Sequence, residues 1–252
     1  MIYFGLLLGL PPAIFFAWYI YKKDKWQPEP KELVIGTFKS SFSMVIIAAI
    51  IELFLLKVVM SQASFDAMAR WFIEFFLVVG PIEELCKYAV VRYGAYKSEY
   101  FDERIDGVVY MAASAMGFAG LENALYIIKS GSPTTVALLR AVTSTPAHLI
   151  FSGFLGLFLG SAYVCNKNGD SGKAKLLIFI GFIIASALHG LYDIIATLSD
   201  IRWQFGGIVA FILIFGGILI FRVEALAHES KLEQESKPKL EQESKPKKKS
   251  KK

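Results

Sequence analysis

The chain has 252 residues, of which 55% are hydrophobic, and its mean hydropathy is +0.49. The apolar residues come in blocks of about twenty, the length that a helix needs to cross a hydrocarbon core of roughly 30 Å, which excludes an ordinary soluble globule. The net charge of +5 is concentrated in the C-terminal tail and does not indicate nucleic-acid binding. Cys86 and Cys165 form no spaced pair, so neither a disulfide framework nor a thiolate metal site is expected.

The hydropathy pattern predicts an all-α, polytopic membrane helix bundle of about seven transmembrane helices. The first apolar block lacks a basic n-region and a small-residue cleavage site, so we interpret it as a retained span and not as a signal peptide. The fifth span is long, so we expect it to tilt, kink at Pro146 or extend beyond the bilayer. The predicted spans are 1–21, 33–56, 71–91, 105–128, 134–164, 176–198 and 205–221.

Lysine and arginine concentrate in the loops that follow the first, third and fifth spans, and in the tail. By the positive-inside rule, the N-terminus is predicted outside and the C-terminus in the cytoplasm. The membrane domain is predicted as 1–222. The tail, 223–252, contains KLEQESKP twice and ends in KKKSKK, a composition that predicts disorder. The tail is either a solvated segment or a basic segment held at an anionic leaflet.

Ionisable side chains inside the spans are the residues most indicative of function, because charges are unfavourable in a bilayer. The third span contains Glu83, Glu84 and Lys87, in the stretch EELCK. Residues three or four apart share a helix face, so either glutamate can reach Lys87. This spacing predicts one glutamate that neutralises Lys87 and one that stays available.

The fourth, fifth and sixth spans add further polar groups. Asp193 lies one turn after His189 and can hold its ring in one tautomer. Counting ~1.5 Å per residue from the outer ends puts the four candidate catalytic residues about 10 to 21 Å deep, so they are predicted to converge near the midplane, slightly toward the outer side. Asp106, at the start of the fourth span, is expected to be its N-cap. The polar residues of these three spans are Glu122, Asn123, Arg140, His148, His189 and Asp193.

Four motifs, in this order and on successive spans, resemble those of the PrsW family of intramembrane proteases: EELCK, DGVVYMAASAMGFAGLEN, RAVTSTPAHLIFSG and HGLYD. The resemblance covers roughly 28–193. The family is distantly similar to the type II CAAX-prenyl endopeptidases and the CPBP proteases, which carry EExxxR, FxxxH and HxxxN or HxxxD motifs. Here the first motif is EExxK, the second has Glu122 where those proteases have histidine, and the third is His189-x-x-x-Asp193.

The resemblance implies hydrolysis of peptide bonds inside or at the edge of the membrane. It implies Glu83 as general base, His148 as the group that shares the water and passes on its proton, and His189, oriented by Asp193, as oxyanion stabiliser. Glu122 is expected to be a second carboxylate on the water or a metal ligand. Asn123 is expected to donate to the substrate or to cap a neighbouring carbonyl, and the supporting charges are Glu84, Lys87 and Arg140.

Two versions of this chemistry fit the residues. A mechanism without a cofactor is favoured, and the alternative is a Zn²⁺ ion held by Glu83, Glu122, His148 and His189. A proton or solute transporter is the non-enzymatic alternative, but it predicts a polar file reaching both faces, whereas these residues cluster at one depth. The resemblance further implies a cell-membrane location and a single-pass membrane substrate in the lipid bilayer, such as an anti-sigma factor cut at site 1. The sequence does not indicate the oligomeric state.

Overall fold

A computed structural model of the chain describes residues 2–62 and 65–236. This part of the chain is helical, with short connections and no β-strand, which confirms the all-α class. The α-helices are α1 (Ile2–Tyr21), α2 (Lys31–Gln62), α3 (Ala67–Phe72), α4 (Gly80–Tyr93), α5 (Arg104–Lys129), α6 (Pro133–Val142), α7 (Ser144–Lys167), α8 (Ser171–Ala196), α9 (Ile201–Phe211) and α10 (Gly217–Ser236). The π-helical segments Ile73–Val79 and Ile212–Gly216 join α3 to α4 and α9 to α10.

Six helical runs in the described residues are long and apolar enough to cross a membrane. They correspond to the predicted spans other than the third, which is the run formed by α3, the π-helical segment and α4. That run contains Glu74, Glu83, Glu84 and Lys87, so it exceeds the charge expected of a lipid-facing span. The chain is a multi-pass membrane protein.

Helix α5 lies at the centre of the bundle and packs against α1, α2 and α7. Its run of small residues permits this, because backbones can approach closely where side chains are short. Gly107 lies against Gly156 and Gly160 of α7, and Gly117 lies against the carbonyl of Phe38 in α2, with no room for a Cβ atom at either glycine. The same helix carries Glu122 into the interior of the bundle.

The predicted fifth span is interrupted at Thr143, where φ is −116° and ψ is −74°. Pro146 lies one turn later, in the first turn of α7, where its missing N–H leaves no hydrogen bond unmade. The start of α5 also differs from the expectation: Glu103 is the N-cap, and Asp106 closes a capping box three residues later. The Oδ2 atom of Asp106 accepts hydrogen bonds from the backbone N–H groups of Asp102 (2.8 Å) and Glu103 (2.7 Å).

The loop after α1, the turn before α5 and the C-terminal half of α10 meet at one end of the bundle. Gln27 hydrogen-bonds Asp102, and Ser230 donates to Glu103 at 2.7 Å. Alternate loops therefore share one end, as the charge pattern predicts, while the side of the membrane on which that end lies stays a prediction.

The predicted disorder is wrong for residues 223–236, which continue α10 as a helix. Val223 and Leu226 extend the buried face of Leu219 at helical spacing, so the sequence here has apolar surface to bury. The rest of the predicted tail, 237–252, lies outside the described residues.

Candidate active site

The four predicted catalytic residues come from four helices and meet in the interior of the bundle. Glu83 Oε2 lies 3.8 Å from His148 Nδ1 and 3.7 Å from His189 Nε2. Glu122 Oε2 lies 2.9 Å from His148 Nε2, on the other side of that ring. The imidazole rings are 5.3 Å apart between centroids, and the ring of Phe151 stacks on His189 at 4.5 Å. The predicted convergence is thus present in the structure, while the catalytic roles stay predictions.

A π-helical segment precedes Glu83 and lets α8 approach closely. A Cβ atom on Gly80 would lie 2.8 Å from the carbonyl oxygen of Ser186, and one on Gly190 would lie 2.9 Å from that of Phe75. Both distances are too short for a side chain, so only glycine permits this packing. Such π-helical turns occur frequently at functional sites, and here the turn sets the distance between Glu83 and His189.

Lys87 is completely buried and joins three members of the site. Its ammonium donates to Glu83 Oε2 at 3.0 Å, to Glu84 Oε1 at 2.8 Å and to His148 Nδ1 at 2.9 Å. It also lies over the ring of Phe118 at 4.5 Å. The expectation that only one glutamate neutralises Lys87 is therefore wrong, because the ammonium lies between the two carboxylates and contacts both.

The two adjacent glutamates differ in how far their oxygen atoms are engaged. Both oxygen atoms of Glu84 are used: Oε1 contacts Lys87 and His189, and Oε2 accepts a 2.7 Å hydrogen bond from Ser152. Glu83 uses Oε2 toward Lys87, and among the described residues its Oε1 atom makes no hydrogen bond. Glu83 is therefore the acid with an oxygen atom available for chemistry.

The contacts of each histidine assign its tautomer. Lys87 is only a donor, so His148 Nδ1 accepts from it, which leaves the ring proton on Nε2, 2.9 Å from Glu122 Oε2. His189 donates from Nδ1 to Glu84 at 3.3 Å, and its Nε2 atom faces Glu83. Asp193, expected to hold the ring, lies 3.6 Å from Nε2, beyond hydrogen-bond length, so the orienting carboxylate is Glu84.

Glu122 is anchored by Arg140, whose Nη2 atom lies 3.0 Å from Glu122 Oε2. Arg140 also donates from Nε to Asn123 Oδ1 at 2.5 Å, and Asn123 donates to Thr145 Oγ1 at 2.9 Å. Asn123 thus links α5 to the start of α7 and holds Arg140. Arg140 lies beside Glu122, while its supporting role in the site stays a prediction. Asn123 bonds to protein side chains and not to a backbone carbonyl.

The donor atoms of Glu83, His148 and His189 fit a zinc ion. All three residues are buried, and their ligand atoms lie within 4.8 Å of one another. One carboxylate and two imidazoles form the donor set of many catalytic zinc sites. In each ring, the nitrogen that faces away from Glu83 lies near another carboxylate: Nε2 of His148 near Glu122, and Nδ1 of His189 near Glu84. Zinc-bound histidines commonly have a carboxylate at the nitrogen that does not bind the metal. Glu122 is not part of this set, so the expected four ligands reduce to three.

Sequence reasoning missed several residues that shape the site. Ser152 and Phe151 of α7 fix Glu84 and His189, but serine and phenylalanine are common in membrane helices and gave no distinct signal. Glu52 of α2 is different, because it is an acid within a predicted span and its Oε1 atom is buried. The rule that selected Glu83 would also have selected Glu52.

Comparison with known proteins identifies close similarity over most of the chain. Residues 29–219 match the sequence model of a family described as PrsW family intramembrane metalloprotease. Three bacterial relatives are each named Protease PrsW. The protein from Geobacillus kaustophilus is 32% identical over 197 residues, which cover 78% of this chain and 81% of that protein. The protein from Oceanobacillus iheyensis is 35% identical over 193 residues, which cover 75% of this chain and 81% of that protein. The protein from Clostridioides difficile is 28% identical over 232 residues, which cover 89% of this chain and 92% of that protein. No solved structure matches the chain.

Proposed function

The chain belongs to the PrsW family of intramembrane proteases, and on this basis we propose that it cuts single-pass membrane proteins at the site formed by Glu83, His148 and His189. One observation carries the proposal. Glu83 Oε2 lies between one nitrogen of each histidine, at 3.8 Å and 3.7 Å, inside a bundle of membrane-spanning helices. Hydrolysis of a peptide bond needs such a set of proton acceptors and donors around one water molecule.

The protein side chains divide the steps of hydrolysis between them. In the reaction without a cofactor, Glu83 accepts a proton from the attacking water on its unengaged Oε1 atom while the water oxygen bonds to the carbonyl carbon of the substrate. The same carboxyl group then gives that proton to the amide nitrogen as the C–N bond breaks. Lys87 lies 3.0 Å from Glu83 and supplies a positive charge within the site, which would stabilise the negative charge that develops on the substrate carbonyl oxygen.

We place a zinc-assisted reaction ahead of the reaction without a cofactor. Glu83, His148 and His189 would hold the ion, and a bound zinc ion lowers the pKa of its water to about 7 and polarises the substrate carbonyl. The carboxylates on the far nitrogens of the two histidines support this version. Because Lys87 Nζ lies 2.9 Å from His148 Nδ1, the ammonium has to move aside when an ion binds there.

The depth of the site supports a cut near the midplane or on the outer side. His189 lies 18 residues, about 27 Å, from the start of α8 and about 10 Å from its end at Ala196. The start of α8 lies at the end of the bundle predicted to face the cytoplasm. An anti-sigma factor with one span and an extracytoplasmic domain is therefore the substrate class that we propose.

The proposal is tested with purified protein in detergent and a single-pass anti-sigma factor as substrate, with products identified by mass spectrometry. We expect Glu83→Gln to abolish cleavage. Glu74→Gln is the matched control, since Glu74 lies in the preceding π-helical segment and forms no ion pair with either histidine among the described residues. Full cleavage by Glu83→Gln would overturn the assignment of the base.

Metal analysis of the purified protein separates the two versions of the reaction without relying on activity. We expect close to one zinc ion per wild-type chain and a loss of zinc in His148→Ala and His189→Ala. A zinc-free protein that cleaves at the wild-type rate in the presence of a strong chelator would leave the reaction without a cofactor as the correct version.

A further inference from the structure

Glu52 in α2 is a carboxylate of the membrane interior that the reaction described above does not use. Its Oε1 atom is buried and has no hydrogen-bond partner among the described residues. It lies in a helix that is long and apolar enough to span the membrane. An isolated carboxylate in such a helix is unfavourable and therefore points to a function that needs it.

The packing of α2 places Glu52 beside the site. Leu33 and Val34 pack in one cluster with Val91 and Ala95, and Val45 and Ala48 pack in another with Ile82 and Cys86, so α2 and α4 run antiparallel. Ala48 is 1% exposed in that second cluster, and Glu52 lies one turn further along the same helix face. The side chain therefore lies toward the start of α4, on the side of Glu83 that faces the predicted outer surface. Ile82 and Cys86 of that cluster lie on either side of Glu83 in the chain, so Glu52 lies beside the segment of α4 that carries Glu83.

The charges around Glu52 leave room for a cation. Five carboxylates surround the site, whereas two side chains there carry a permanent positive charge. The carboxylates are Glu52, Glu83, Glu84, Glu122 and Asp193, and the cations are Lys87 and Arg140.

We propose that Glu52 binds the newly formed α-ammonium group of the cleavage product. The inference rests on the proposed function, because hydrolysis of the peptide bond creates this group. Both protons of the attacking water reach the amine: one is transferred as the C–N bond breaks, and the other comes from the new carboxylic acid, which leaves an ammonium ion beside a carboxylate. Glu52 lies beside the segment of α4 that carries Glu83, and its Oε1 atom has no hydrogen-bond partner among the described residues. It therefore provides the partner for this cation and draws the amine away from the new carboxylate.

The test compares two forms of one product peptide as inhibitors of cleavage. The peptide begins at the cleavage position found by mass spectrometry and carries either a free N-terminal amine or an N-acetyl group. We expect the free amine to bind wild type about 10- to 100-fold more tightly, the range for a hydrogen bond to a charged group. Glu52→Gln should bring this ratio close to 1, and the control Glu74→Gln should keep the wild-type ratio.

Glu52→Asp gives a second result, because it keeps the charge but shortens its reach, and we expect an intermediate ratio. A wild-type ratio in Glu52→Gln, or a ratio near 1 in wild type, would overturn the inference while cleavage itself continues. An absence of cleavage in wild type would instead remove the proposed function on which the inference rests. Melting temperatures in detergent verify that each variant is folded.

Discussion

Replacement of Lys87 by methionine is the change that best tests how the buried charges are held. Methionine is close to lysine in length and shape, so it removes the ammonium group with little change in packing. The carboxylates of Glu83 and Glu84 would then lie next to each other inside the bundle without the Lys87 ammonium, which now contacts both. His148 would lose the donor to its Nδ1 atom at the same time.

The size of the effect follows from the burial of the group. Lys87 has 0% of its side chain exposed, and its three polar contacts are 2.8, 2.9 and 3.0 Å long. Removal of one partner from a buried ion pair costs about 3–5 kcal/mol, because the remaining charge stays buried without compensation. Since native domains are stable by only about 5–15 kcal/mol, we expect Lys87→Met to lower the melting temperature strongly.

Thermal unfolding in detergent measures this prediction, and Lys231→Met is the control. Lys231 lies 3.6 Å from Glu235 in an exposed pair, and such pairs contribute about 0.3–0.5 kcal/mol. The double variant Lys87→Met with Glu84→Gln should recover part of the lost stability, since it removes one of the uncompensated acids. Equal melting temperatures for Lys87→Met and Lys231→Met would refute the idea that Lys87 compensates the two glutamates.

Two further changes test the packing and the second charge pair. Gly80→Ala should destabilise the protein by about 1–3 kcal/mol and lower cleavage, because the new Cβ atom would lie 2.8 Å from the Ser186 carbonyl oxygen. Gly36→Ala is the control, because a Cβ atom at Gly36 meets nothing within 4 Å. Equal losses of stability in Gly80→Ala and Gly36→Ala would contradict the packing argument. Arg140→Met should lower the free energy of unfolding by about 1–3 kcal/mol, since Glu122 loses its 3.0 Å partner. An unchanged melting temperature would show that Glu122 does not need Arg140.

The sequence predicts the spans and the central acids of the site well. Apolar blocks of membrane length are a strong signal, and the structure contains a helical run for each of the seven. Because charged residues are rare within such blocks, the sequence alone identifies Glu83, Glu122 and both intramembrane histidines as candidates. The predicted start of the disordered tail at residue 223 is wrong, because the tail's many Lys and Glu residues outweigh the two apolar residues Val223 and Leu226, which are buried.

The partners of the histidines could not be predicted from spacing. A sequence pattern pairs residues on one helix, and it paired His189 with Asp193, one turn away. In the structure the orienting carboxylate comes from another helix, as Glu84 of α4 reaches His189 and Glu122 of α5 reaches His148. Contacts between helices depend on how closely the helices pack, and here Gly80 and the π-helical segment before it set that distance. The spacing of residues within one helix does not predict this distance.

The adjacent glutamates illustrate how one helical turn assigns two roles to the same kind of side chain. Neighbouring residues on an α-helix point about 100° apart, so Glu83 and Glu84 meet different surroundings. Glu84 is directed to α7 and α8, where Ser152 and His189 occupy its oxygen atoms, and it positions the second histidine. Glu83 is directed to the space between the two histidines and keeps one oxygen atom free of hydrogen bonds. Glu84 could not take the role of Glu83, because protein donors occupy both of its oxygen atoms and leave none to accept a proton from water.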